Sequence, residues 1–207
     1  MYVTFEGTAG TGKTTLLEEV GGELERRGYD VTLVREFSDT AFGDALESVV
    51  ETGDRETFPQ RALSLTLQSI ADDVWKLETE VIPALRTSDF VIGERFVDRV
   101  LVYGVPLVET QYDETDRTLD LLDDVHELLP VCPDLRILLT VDRETREARY
   151  RSHRPELFDT EADIDRFQKR QERYRTRVGG RDNCVTFEND GSVAEAVREL
   201  TDAVESW

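Results

Sequence analysis

The chain is 207 residues long and carries 45 acidic against 25 basic side chains, a formal net charge of -20. That length suits one compact domain with its own core, and so acidic a surface excludes nucleic acid and anionic membrane as general partners, because phosphate groups are repelled. Cys132 and Cys184 have neither disulfide-framework nor zinc-ligand spacing, and no run approaches the ~20 apolar residues of a membrane span, so a cytoplasmic protein is expected. Lysine occurs only at Lys13, Lys76 and Lys169 among many arginines, and together with the acid load this points to a proteome adapted to concentrated salt.

In chain order, residues 2–5 form a short β-rich run, followed by a glycine-rich turn and a helical pattern over 13–27 that Gly28 can close. A second apolar run, 31–34, ends at Arg35-Glu36. After a long helical stretch over about 59–86, a third run, 90–93, ends at Glu94-Arg95. Residues 136–141 and 185–187 read as the fourth and fifth strands, and a last helix runs over 193–207. The acidic residues of 113–127 read as a solvated helix face. Strands alternating with helices predict an α/β, three-layer fold with a five-stranded parallel sheet covered by helices on both faces; with Gly7-x-x-x-x-Gly12-Lys13-Thr14 between the first strand and its helix, it is of the P-loop NTPase kind. No repeat or linker divides residues 1–207, so a single domain is expected.

Gly7-Thr8-Ala9-Gly10-Thr11-Gly12-Lys13-Thr14 satisfies G-x-x-x-x-G-K-[ST] between a predicted strand and a predicted helix. Glycines let backbone N–H groups turn toward phosphate oxygens, and the helix that begins at Lys13 adds its positive end. Lys13 is expected to reach the β and γ phosphates of ATP, and Thr14 to offer a hydroxyl to Mg²⁺. The nucleotide cradle is thus assigned to Gly7, Thr8, Ala9, Gly10, Thr11, Gly12, Lys13, Thr14 and Thr15. The motif alone does not name an enzyme; no Asn-Lys-x-Asp of the guanine-reading kind occurs, which argues against a GTPase.

The chain resembles the thymidylate kinase family over nearly its whole length. The resemblance is carried by Phe5-Glu6-Gly7 leading into the phosphate loop, by Arg35-Glu36, similar to the family's Arg-Glu-Pro, and by Glu94-Arg95-Phe96, similar to its Asp-Arg-Tyr. Ile82-Pro83-Ala84-Leu85, Pro133-Asp134-Leu135 and the Arg-rich stretch after the fourth strand follow in the family's order. The resemblance implies that Arg35 and Arg95 hold an acceptor phosphate and that Glu94 serves Mg²⁺, usually through water. Glu36 would position the acceptor, or act as a base if the acceptor is a neutral hydroxyl. Arg149, Arg151 and Arg154 would belong to an Arg-rich lid at about 143–158 that closes over the nucleotide, the arginines beyond Arg154 pairing with acids on helix faces. A homodimer is implied as well, with the segment 62–77 rich enough in apolar residues to serve as its interface.

The positions that read the acceptor's base depart from the family pattern. Ala9 stands where the phosphate loop has an acid, Phe37 where Arg-Glu-Pro has proline, and Arg99 where a small hydroxyl residue follows Asp-Arg-Tyr. On the long helix, Ser69 and Asp73 stand where the family has a stacking Phe and a base-contacting Arg. Gln68 is similar instead to the base-reading glutamine of the deoxynucleoside kinases. The acceptor is therefore expected to be a nucleoside monophosphate bound by Arg35, Arg95, Arg99 and Gln68, with two alternatives open: a deoxynucleoside kinase acting on a 5′-hydroxyl, or a regulatory nucleotide-binding protein without turnover.

Overall fold

A computed structural model of the chain describes residues 1–52, 61–112, 115–153 and 161–207. Strands β1 (Tyr2–Glu6), β2 (Val31–Val34), β3 (Phe90–Glu94), β4 (Leu135–Thr140) and β5 (Cys184–Glu188) form one sheet in the order β2-β3-β1-β4-β5. Every pairing is parallel, with Val3 opposite both Ile92 and Leu135. β1, β3 and β4 are buried on both faces, which is why they read as continuous apolar runs without polar alternation.

The helices are α1 (Lys13–Arg26), α2 (Ala41–Thr52), α3 (Ala62–Lys76), α4 (Arg99–Tyr112), α5 (Thr115–Leu128), α6 (Arg143–His153), α7 (Glu161–Arg177) and α8 (Val193–Ser206). Leu16, Leu17, Val20 and Leu24 of α1 recur at helical spacing and join Val197, Leu200 and Val204 of α8 against Val3, Phe5, Ile92 and Ile137. On the other face, Ile70 of α3 and Val100 and Val105 of α4 pack on Tyr2 and Val91, while Tyr174 and Val178 cover Leu138. The result is the expected three-layer arrangement. α1 ends before Gly28, whose φ of 97° is a left-handed stop, and α8 begins at Ser192, whose Oγ accepts from Glu195 N at 3.3 Å.

The long helical stretch begins at Ala62 in the described residues and does not stay regular. It passes from α3 into a π turn, Leu77–Val81, and a short α turn, Ile82–Ala84. Pro83 has no N–H and crowds the carbonyl of the preceding turn, and a widened turn ahead of it relieves that clash. α2 and α4 carry no clear local signal in the sequence. α4 contains Gly104 and Pro106 among β-branched valines, a composition of weak helix propensity, and burial of Val100, Val102, Val105 and Val108 decides its structure.

Because β2 and β3 lie to one side of β1 and β4 and β5 to the other, the strand order reverses at β1. The crevice beyond the strand C-termini at such a reversal is where open α/β sheets bind ligands. It brings together the ends of β1, β2 and β3, and with them the phosphate loop, Arg35-Glu36 and Glu94-Arg95. Among the described residues no helix is long and apolar enough to cross a membrane.

At Gly104 the backbone of α4 packs closely against Thr66 of α3. A Cβ there would lie 2.6 Å from Thr66 Oγ1 and 3.1 Å from Val100 Cγ1. Gly104→Ala should therefore destabilise the protein by about 1–3 kcal/mol through overpacking, read as a lower denaturation midpoint; adding Thr66→Ala should recover part of the loss.

Candidate active site

The phosphate loop has the backbone a cradle needs. Gly7, Gly10 and Gly12 have φ of 138°, 80° and 86°, and a Cβ at Gly7 would lie 2.6 Å from the carbonyl oxygen of Leu139, so only glycine fits there. The first hydrogen bond that closes α1 is Leu16 N to Gly12 O, 2.9 Å; the N–H groups of Lys13, Thr14 and Thr15 precede it and are available to an anion. Thr11 Oγ1 donates to Thr8 O at 2.9 Å and braces the loop. Lys13 is buried, and its Nζ donates to the same carbonyl at a long 3.3 Å, a contact that phosphate oxygens can replace. Thr14 Oγ1 donates to both oxygens of Glu94, 3.0 and 3.1 Å away. This hydroxyl and carboxylate, from α1 and the end of β3, are hard oxygen donors suited to Mg²⁺, which takes few protein ligands beside phosphates and water. Ala9 and Gly10 are half-buried at the loop's outer bend.

The acceptor side is organised by Glu36, which extends from the end of β2. Arg95 follows β3 with a φ of 67°, the only non-glycine positive φ in the described residues, and its backbone N–H donates to Phe5 O at 3.0 Å. Its guanidinium is ion-paired with Glu36 at 2.9 Å, donates to Tyr174 Oη at 3.0 Å and lies 5.2 Å over the Tyr103 ring. Arg99, also buried, pairs with Glu36 at 3.3 Å and with Asp73 at 3.2 Å, and stacks 5.0 Å from the Phe37 ring. Lys76 pairs with Asp73 at 3.1 Å and donates to the carbonyls of Arg35 and Glu36. Asp72 accepts from both the backbone and the hydroxyl of Ser38. Three residues that the sequence left without a joint role, Asp72, Asp73 and Lys76, thus lock the loop after β2 to α3.

These contacts decide what Glu36 can do. Burial works to raise its carboxyl, but Arg95, Arg99, Lys13 and Lys76 outweigh burial and hold it down at about 2. Such a carboxylate is a poor proton acceptor, which favours the positioning role over the base role. Arg35 is exposed at the sheet edge, with no partner for its guanidinium among the described residues. Gln68 donates to Ser64 Oγ at 2.7 Å, one turn back on α3, and no hydrogen bond joins it to the Arg95–Arg99 cluster.

α6 supplies the roof. Arg149 donates to Gly10 O at 3.4 Å and to Asn189 O at 2.6 Å, and partial burial lowers its pKa. Arg151 lies on α6, and Arg154 lies outside the described residues. Arg146, which sequence reading passed over, is fully buried; it donates to Thr8 Oγ1 and to Gln171 Oε1. Gln171 in turn bonds both the N–H and the carbonyl of Val141, at 3.2 and 2.9 Å. Asn189, after β5, donates to Thr11 O at 2.8 Å. The signal for Arg146 was present: it is three residues before Arg149, so both lie on one face of the helix. Nothing local in the sequence marks Gln171, Tyr174 or Asn189.

The thymidylate kinase family profile matches residues 5–200. A thymidylate kinase of Exiguobacterium sp. is 30% identical over 182 residues, covering 86% of this chain and 77% of the relative. A probable thymidylate kinase of Halorubrum lacusprofundi is 30% identical over 173 residues, covering 84% and 82%. The crystal structure of thymidylate kinase from Ehrlichia chaffeensis superposes with a TM-score of 0.64 at 21% identity, over 99% of this chain and 98% of that one, and shares its fold.

Lys13 yields a pH dependence. Burial and the charge of Arg95 lower its pKa to about 8, against the pull of Glu36 and Glu94. Below that value Nζ is charged and attracts phosphate; above it the attraction fades. Nucleotide affinity measured by calorimetry should therefore fall between pH 7.5 and about 9.5, by up to tenfold per pH unit, and Lys13→Arg, which stays charged, should flatten the profile.

Proposed function

The chain belongs to the thymidylate kinase family and is a nucleotide kinase; we propose that it transfers the γ-phosphoryl group of ATP to the 5′-phosphate of thymidylate or a closely related nucleoside monophosphate. The observation that carries this reading is the buried Glu36–Arg95 pair beside Lys13, at the C-terminal edge of adjacent strands. It places a fixed guanidinium opposite the phosphate loop, where an acceptor phosphate must meet the donor for in-line transfer.

In this mechanism the loop N–H groups and Lys13 hold the β and γ phosphates, and Arg95, aimed by Glu36, holds the acceptor phosphate. Arg35 is free to close on the same group from the neighbouring strand. Mg²⁺, held through Thr14 and Glu94, would screen charge between the phosphates. Arg149 adds positive charge over the loop as the lid helix settles, and Arg151 belongs to the same helix. A phosphate acceptor needs no strong base, and a Glu36 carboxyl held at about 2 by its cationic partners would serve a hydroxyl acceptor badly. This favours a monophosphate over a bare nucleoside.

The base of the acceptor is read differently from the family pattern. Asp73 is buried and tied to Arg99 and Lys76, so the position of the family's base-contacting arginine holds a neutralised ion-pair cluster. A homodimer is supported by apolar side chains exposed along α2 and α3: Phe42, Val49, Val50, Leu67 and Trp75. The acid-rich surface fits a cytoplasm of high salt.

The test is ADP release with ATP, Mg²⁺ and a panel of nucleoside monophosphates and nucleosides in concentrated KCl. Monophosphate-dependent turnover is expected; turnover with bare nucleosides alone would move the assignment to a nucleoside kinase, and ATP binding without acceptor-dependent turnover would leave a regulatory protein. Lys13→Ala and Arg95→Ala should each lower kcat/KM by about 10²-fold or more, with unchanged circular dichroism. Arg99→Ser, which breaks the cluster at Asp73, should change the ranking of bases in that panel more than it changes the best kcat.

A further inference from the structure

We propose that the groove between α4 and α7, on the face of α7 turned away from the phosphate loop, is a second binding site for a nucleoside triphosphate. The half-open groove has a volume of about 480 Å³, within the size range of small-molecule sites. Its floor is apolar, built from Leu101, Val105 and Pro106 of α4, and its rim carries Lys169, Arg173 and Arg177 of α7. These cations recur every four residues, so they stack along one side of the helix over a rise of about 12 Å. Like charges one turn apart repel each other.

The three cations have no carboxylate within ion-pair distance among the described residues, although Glu109 and Glu172 line the same groove and the chain holds 45 acids against 25 bases. Where Arg143 is paired with Glu147 and Asp165, this row is left open. An unpaired cationic row suits a chain of phosphates; the apolar floor suits a planar base, which a bare inorganic anion would not use. The two Glu side chains set a local charge close to neutral, so binding requires both contributions.

α7 separates this groove from the active site. Its opposite side carries Gln171, bonded to Arg146, and Tyr174, bonded to Arg95, while Arg170 lies 4.8 Å over the Tyr103 ring. A ligand seated on Lys169 and Arg173 therefore presses on the same helix turns that hold the two buried arginines, which gives the second site a route to the first.

The experiment is equilibrium binding of a fluorescent ATP analogue to the full chain. Two equivalents per chain are expected for the wild type and one for Lys13→Ala, which disables the phosphate loop. In the Lys13→Ala background, Arg173→Glu should remove the remaining equivalent, and the milder Arg177→Gln should raise its dissociation constant by about tenfold, with the melting transition retained in both. A single equivalent in the wild type, or a remaining equivalent that ignores both groove substitutions, overturns the proposal. Inorganic triphosphate should compete at the groove at least about tenfold more weakly than ATP; equal competition would overturn the nucleotide assignment. The Lys13→Ala arms read binding alone, so they stand apart from whether the chain transfers phosphoryl groups.

Discussion

A site built to receive two phosphorylated molecules must hold several cations close together while no phosphate is there. Lys13, Arg95 and Arg99 are all buried at the strand ends, and buried unpaired charge is too costly to persist. Glu36 resolves this conflict: it pairs with Arg95 and Arg99 and draws on Lys13 through space. Its hold on Arg95 also fixes the direction of the guanidinium, so the same contact that makes the cationic cluster tolerable makes it directional. The left-handed φ of Arg95 is a local strain that the surrounding contacts must maintain, and the Phe5 carbonyl, Glu36, Tyr174 and the Tyr103 ring together do so.

α6 is joined to this arrangement through the phosphate loop. Arg146 reaches Thr8, and Arg149 reaches the carbonyl of Gly10, so two turns of α6 grip the loop from above. Gln171 ties Arg146 to the backbone at Val141, just past the end of β4. The position of α6 is thereby coupled to the shape of the cradle, and phosphates that displace these protein acceptors would be felt along the helix. Asn189 adds a restraint from the other side; a Cβ on Gly12 would lie 2.7 Å from its Nδ2, so that close packing too depends on glycine.

How legible this was in the sequence varies with the range of the interaction. The strands, the phosphate loop and the terminal helix announce themselves through apolar runs, glycines and caps that act within a few residues. α4 does not, because its valines, Gly104 and Pro106 oppose helix locally and burial against α3, α5 and α7 stabilises it. In the site, Lys13, Thr14, Glu94 and Arg95 could be named because a strand end or a motif places them. Arg99 was expected to meet the acceptor, yet the structure ties it to Asp73 and Glu36, two carboxylates far away in sequence. Arg146 and Tyr174 were hidden for the same reason: their partners are set by topology, and no spacing rule reports them.

Two buried carboxyl groups near the sheet centre show how the fold assigns charge by counting neighbours. Burial works to raise Asp98, but His126, Arg136 and Arg181 outweigh it and hold the group at about 2; Arg136 donates to it at 2.6 Å and Arg181 pairs at 2.8 Å. Glu6 is equally buried. Burial and the negative charge of Asp98 raise it to about 8, against the opposing pull of Arg95 and Arg136. Near neutral pH one carboxyl is therefore ionised and the other keeps its proton. The difference has a functional consequence, because Glu6 ends β1 directly beneath the phosphate loop. An ionised carboxylate there would oppose every phosphate the loop is shaped to hold, at short range and in a medium that screens poorly. Held neutral, it leaves the field above it to Lys13, Arg95 and the open N–H groups of α1, a local positive edge on a chain of net charge -20.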